Sequence, residues 1–190
     1  MSEIRTLFQR DAKVCPWWLA YTFDNPLRRL VHNPEKILAP HVEPGMVVAD
    51  IGCGLGFYTV PLARMVGERG AVVAVDLQQQ MLDAVKRRAG RAGVVGRVLP
   101  HRAEPGRLGI PRKVDFVLAN WMVHEVDDQS AFLAEVRDAM RPGGRFLVAE
   151  PGGHVSDDDF ARTLETARDA GFTISDGPRM LLSKTAVLAV

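Results

Sequence analysis

The chain has 190 residues, a formal net charge of +1, 47% hydrophobic and 25% charged residues. That length suits one domain of ordinary size, and that composition builds a core rather than a disordered chain. The near-neutral charge disfavours a dedicated nucleic-acid or membrane-surface binder, and no apolar run reaches the roughly 18 residues of a membrane span.

The N-terminal stretch MSEIRTLFQRDAKV is charged throughout and has no signal-peptide core, so a cytoplasmic location is expected. Cys15 and Cys53 make neither a metal-ligand spacing nor a disulfide framework, and no metal is expected. Residues 1–25 lack periodicity but bring Trp17, Trp18, Tyr21 and Phe23 close together in sequence. Residues 26–42 read as short helices, broken at Pro34 and ended near Pro40, before an EPG turn at 43–45. From there strand and helix patterns alternate. MVVADI is a buried strand and YTVPLARMVG a helix ended by Gly67. AVVAVD is a second strand and QQMLDAVKRRAGRAG a second helix. RVLPHRA is a weaker strand, VDFVLANW a stronger one, and residues 128–140 form an amphipathic helix. RPGG turns the chain into the strand RFLVAEP, and a helix over 156–170 follows, ended by Gly171. FTISD and TAVLAV close the chain as strands with no helix between them, so they pair as a hairpin and one runs against the rest. Strands alternating with helices predict a mostly parallel sheet covered on both faces. The basic run Lys86, Arg87, Arg88, Arg91 reads as a solvated helix face.

The most informative stretch is VVADIGCGLGFYTVPLA, residues 47–63. Gly52, Gly54 and Gly56 form a loop with little side chain, which lets a ligand approach the backbone closely. The spacing is G-x-G-x-G, with Phe57 where a dinucleotide fingerprint places its third glycine. Asp50 precedes the loop and would repel a pyrophosphate, but suits an ammonium group. Asp76 ends the next strand, where a carboxylate accepts hydrogen bonds from both hydroxyls of a ribose; it also reads as a helix N-cap. Together the two acids predict a nucleoside with an amino-acid tail and no phosphate, a description that S-adenosylmethionine meets. Two alternatives stand beside this reading: an NAD(P)-dependent oxidoreductase, and a protein that binds S-adenosylmethionine without catalysis.

The sequence resembles the class I S-adenosylmethionine-dependent methyltransferases. The resemblance rests on VVADIGCGLGFYTVPLA, VVAVDLQQQMLDAVKRRA, VDFVLANWMVHEV and MRPGGRFLVAEP, in that order and at compatible spacing. It covers about residues 36–190. It implies an α/β, Rossmann-like doubly wound sheet of seven strands, mostly parallel with one antiparallel C-terminal strand, in three α/β/α layers. Residues 1–190 would be one methyltransferase domain, with an N-terminal helical or lid segment over 1–42 and the core over 43–190. Asp50 and the loop Gly52–Cys53–Gly54–Gly56 would hold the methionine part, with Cys53 as a small filler. Asp76 would bind the ribose, Leu77 would pack on the adenine, and Asn120 would place its backbone near the methionine amino group. Many relatives carry an acid after the third strand. Arg102 stands there instead, so the adenine would be held by the Ala103 amide and apolar packing, or by Glu104.

Methyl transfer to a small-molecule acceptor needs an aligned nucleophile, excluded water and, for a protonated acceptor, a base. His124 follows the fourth strand, Glu150 ends the fifth, and His154 sits on the glycine-rich loop beyond it. Glu150 and His154 would form a base and its orienter. Tyr21, with its neighbouring aromatics, would act in a lid, whose ring faces favour a sulfonium cation. NWMV at 120–123 lacks the Asn/Asp-Pro-Pro-aromatic pattern that holds a planar amino group, which disfavours adenine or amide methylation. The accepting atom stays open among oxygen, nitrogen, sulfur and carbon, and the chain would be a monomer or a homodimer.

Overall fold

The computed structural model describes residues 32–190. Tyr21 and the other N-terminal aromatics, and with them the expected lid, lie outside the described residues. The elements run α1 (Pro34–Leu38), β1 (Val47–Ile51), α2 (Thr59–Met65), β2 (Ala71–Asp76), α3 (Gln79–Arg91), β3 (Val98–Arg102), β4 (Val114–Asn120), α4 (Gln129–Ala139), β5 (Met140–Pro151), α5 (Asp157–Asp169), β6 (Thr173–Asp176) and β7 (Ser183–Ala189).

The seven strands form one sheet in the order β3-β2-β1-β4-β5-β7-β6. β1 to β5 are mutually parallel, and β7 runs antiparallel to both β5 and β6. The expected antiparallel strand is therefore β7, and it lies inside the sheet rather than at an edge.

Alternate strand residues feed two cores. Val48, Leu118 and Leu147 face one way and pack with Leu62 and Ala63 of α2 and Leu82 and Val85 of α3. Ala49, Val117 and Phe146 face the other way and pack with Leu133 and Val136 of α4 and Ala167 of α5. This two-sided burial is why β1 and β2 read as unbroken apolar runs instead of alternating ones.

One local expectation is corrected. RPGG does not form a separate turn; it is the bulged start of β5, where the register against β4 shifts between Val114 and Phe116. Strand order reverses between β1 and β4, and at such a switch point the loops at the carboxyl ends of the strands leave a crevice.

Candidate active site

The glycine loop leaves β1 at that switch point. Gly52, Gly54 and Gly56 all have positive φ, at 67°, 50° and 82°. Gly52 is the most constrained, because a Cβ there would come within 2.8 Å of the Met122 side chain. The loop is pinned to β2 by Gly52 and Cys53, whose N–H groups both donate to the Val75 carbonyl at 2.9 and 3.1 Å.

Two carboxylates flank the loop, Asp50 buried and Asp76 partly buried. Asp50 is 2% exposed, and its Oδ2 accepts a 2.5 Å hydrogen bond from the hydroxyl of Thr59, the first residue of α2. Asp76 accepts from the Gly54 N–H at 3.0 Å through Oδ2 and from the Gln78 N–H at 2.9 Å through Oδ1. It thus ties loop to helix start; Oδ2 also receives the Cys53 thiol at 4.0 Å, and Oδ1 keeps acceptor capacity for a further donor. Burial pushes the Asp76 carboxyl above its usual range, against the pull of those N–H groups. Cys53 is buried inside the loop, and burial beside Asp50 and Asp76 pushes its thiol well above the usual value. A thiol in that state fills space and is no nucleophile.

Beyond β2, Leu77 and Ala103 join one apolar cluster. The Ala103 N–H, however, donates to the Asp76 carbonyl at 3.0 Å. The expectation that this amide holds an adenine is corrected: the sheet has already taken the donor, leaving the methyl group. Arg102 turns its Nε back onto the Leu77 carbonyl at 3.2 Å, and Glu104 is exposed in a small bridge with Arg107. At the end of β4, the Oδ1 of Asn120 is buried with no hydrogen-bond partner. Trp121, next in the chain, takes φ of 59°, a conformation uncommon outside glycine and costly for a bulky residue. It is held by its N–H to the Ala149 carbonyl at 2.7 Å and by its indole N–H to Ser183 at 2.9 Å.

The three candidate catalytic residues converge, but not in the expected pairing. Glu150, 1% exposed, receives the Val123 N–H at 2.9 Å and the Met122 N–H at 3.3 Å on Oε1. Its Oε2 accepts a short hydrogen bond from His124 Nδ1. No hydrogen bond joins Glu150 to His154, so the expected partnership of those two is corrected. His124 takes that place because a 3-10 turn over Val123–Glu125 swings it back over the end of β5. His154 instead meets His124 edge to face, with ring centroids 5.0 Å apart. The hydrogen bond to Glu150 holds the His124 imidazole above its usual value, overcoming partial burial, with the Glu150 and Glu125 charges adding to it. His124, Glu150 and His154 line a cleft of about 390 Å³ whose other wall is built from Gln129 of α4 and Arg162 and Thr163 of α5. Among the described residues, no group of three or more His, Cys, Asp or Glu is placed to hold a metal ion.

Residues 49–148 match the family described as the methyltransferase domain. The chain belongs to that family. Over 108 residues it is 32% identical to the protein named ubiquinone/menaquinone biosynthesis C-methyltransferase UbiE from Vibrio vulnificus (strain YJ016), covering 56% of this chain and 42% of that protein. The chain thus spans less than half the length of the curated relatives it matches. Among solved structures it is similar to a SAM-dependent methyltransferase from Aquifex aeolicus, with TM-score 0.82, 25% identity and coverage of 93% and 98% of the two chains. It also shares its fold with a SAM-dependent O-methyltransferase from Thermotoga maritima, with TM-score 0.66, 20% identity and coverage of 83% and 64%.

Within this methyltransferase domain, several site residues escape a reading of the sequence. Thr59 gives a weak signal, a hydroxyl residue opening a helix nine positions after a buried acid. Gln129 and Thr163 give none: they meet each other across α4 and α5 at 2.9 Å, and Gln129 also donates to the Val123 carbonyl at 3.2 Å. Both act by supporting the turn that carries His124. Among the described residues, no helix is long and apolar enough to cross a membrane.

Proposed function

We propose that this chain moves a methyl group from S-adenosylmethionine to a small-molecule acceptor. The observation that carries the reading is the pair of carboxylates, Asp50 buried and Asp76 partly buried, on neighbouring parallel strands with the glycine loop between them, at the point where strand order reverses. Such a site repels a pyrophosphate and accommodates an ammonium and a diol.

The residues present fit that cofactor. Asn120 carries a buried carbonyl oxygen without a donor, a deficit of the kind that an ammonium group removes. Asp76 Oδ1 carries only the Gln78 N–H and keeps an acceptor site for a ribose hydroxyl, while on Oδ2, beside the Gly54 N–H, a second hydroxyl would replace the weak 4.0 Å contact of the Cys53 thiol. Asp50, oriented by Thr59, and the Gly52–Gly56 loop with Cys53 as filler would hold the amino-acid end. Leu77 and the Ala103 methyl would supply the apolar wall for the adenine. When bound, the cofactor supplies a methyl group already activated by its sulfonium charge. What is left to the protein is alignment, exclusion of water and care of one proton, of which alignment alone is worth on the order of 7–11 kcal/mol.

The cleft beside His124 favours a compact acceptor. Its volume of about 390 Å³ lies within the roughly 300–1,000 Å³ typical of small-molecule sites. The test is mass spectrometry of small molecules released from the purified chain, followed by a labelled-methyl screen against cell extract separated by mass. Adenosylhomocysteine or its methylated parent, with label entering the low-mass fraction, is the expected result. Recovery of NAD, or label entering only polymer, contradicts the reading, and cofactor retention without turnover favours a non-catalytic binder.

A further inference from the structure

The methyltransferase reading assigns no role to the buried hydrogen-bonded group on the α4–α5 face of the sheet. Glu150 sits there with both carboxylate oxygens hydrogen-bonded: two backbone N–H groups on one and the His124 imidazole on the other. A carboxylate held this way fixes His124 in one ring orientation. It also fixes which nitrogen carries the proton, because the edge facing Glu150 must donate. The opposite edge, with Nε2, has no hydrogen-bond partner among the described residues, and His124 lines the cleft. Gln129, locked between the Val123 carbonyl and Thr163, holds the backbone of the same turn. The arrangement is a hydrogen-bond acceptor on a rigid mount, facing a space large enough for a small molecule.

From this geometry we infer that Glu150 and His124 form a proton-accepting dyad for the methyl acceptor, with Nε2 as the base and Glu150 as its positioning residue, and that the acceptor is a phenol or enol. The inference rests on the methyltransferase reading. A histidine base suits an acidic hydroxyl, because proton transfer is efficient when the two pKa values lie close together; an aliphatic alcohol or an amide is too weak an acid. Seven of the eight lining residues are polar, with Val155 the exception, and His154 and Arg162 provide donors for further oxygens on such a molecule. In the step, the acceptor gives its hydroxyl proton to Nε2. The charge left on its oxygen, or on the conjugated carbon, forms the new bond to the methyl carbon. The bond from that carbon to sulfur breaks, sulfur keeps the electron pair, and sulfonium becomes thioether. His124 then returns the proton to water, so one proton is released per turnover.

The groups that face His124 are Glu150 from β5, Glu125 beside it in the turn, His154 from the loop after β5, and Asp159 and Arg162 from α5; α4 contributes the neutral Gln129. Asp159 is paired with Arg162, which leaves the Glu150 contact as the dominant influence on the imidazole.

The experiment is nitrogen-15 NMR of the histidine side chains in the purified chain, with 4-hydroxybenzoate as probe and benzoate as control. The neutral form of His124 is expected to carry its proton on Nδ1, and 4-hydroxybenzoate is expected to move the Nε2 resonance while benzoate does not. Glu150→Gln should lower the His124 midpoint and remove the tautomer preference. His124→Asn should stay folded with an affinity for adenosylhomocysteine within threefold of the parent, and slow methylation of hydroxylated aromatics by at least about 100-fold. An Nε2 that carries the proton, an Nε2 that ignores the phenol, or a His124→Asn chain that works at the parent rate overturns the dyad. Failure of the parent to bind adenosylhomocysteine sinks the methyltransferase reading instead, and the imidazole result, read without cofactor, separates the two.

Discussion

Asp50 and Glu150 occupy matching places: each is the next-to-last residue of a parallel strand, and each is buried. Their surroundings differ in kind. Asp50 points to the α2 side and is met by a side-chain hydroxyl from the helix that immediately follows its own loop. Glu150 points to the α4–α5 side and is met by a turn that follows a different strand, 26 to 28 positions away in sequence. One acid belongs to a local motif; the other belongs to a contact made only when the sheet assembles. The local acid flanks the glycine loop, whereas the assembled one borders the cleft lined by His124 and His154.

The largest effect is expected at Glu150. Glu150→Leu strands the buried Val123 N–H, the part-buried Met122 N–H and the imidazole, and should lower unfolding free energy by about 3 kcal/mol, measured by urea denaturation. A loss under about 1 kcal/mol would mean that the assembled acid is not holding the turn. On the local side, Gly52→Ala forces a side chain into positive φ and against Met122. It should cost about 2 kcal/mol, and pairing it with Met122→Ala should recover the part due to the clash. No recovery would mean that backbone strain alone sets the cost. The smallest effect is on pH. Because the folded chain holds the His124 imidazole above its usual value, this group stabilises the fold fully below the unfolded value near 6.5, and that contribution fades as pH rises through the higher folded value. The melting temperature of the parent relative to His124→Asn should therefore be greatest at acid pH and shrink towards alkaline pH; a difference that grows with pH contradicts the direction.

The same contrast explains what was legible in the sequence. β1, the glycine loop and β2 could be placed because their signals are contiguous: apolar runs, glycines at fixed spacing, and acids at strand ends. The antiparallel C-terminal hairpin followed from two strand patterns with no helix between them. His124, Glu150 and His154 were recognisable one at a time, because each lies near the carboxyl end of a strand. Their partnership was not, because a 3-10 turn of three residues leaves no periodicity to read, and the separation of His124 from Glu150 carries no signal. Ala103 failed for the opposite reason: its amide looked free in sequence, but the β2–β3 pairing extends one residue further and consumes it. RPGG is a turn signal that the sheet absorbed as a bulge, since β4 and β5 meet before it and again after it.

Binding of an adenosyl amino acid by Asp76 and the glycine loop is tested by calorimetric titration of the parent and Asp76→Ala chains with adenosylhomocysteine. The account predicts one site in the parent and affinity weakened at least tenfold, about 1.4 kcal/mol, in the variant, with the melting temperature not lowered by more than the loss of the Gly54 and Gln78 contacts allows. No heat with the parent, or equal affinity in a folded Asp76→Ala chain, would contradict it.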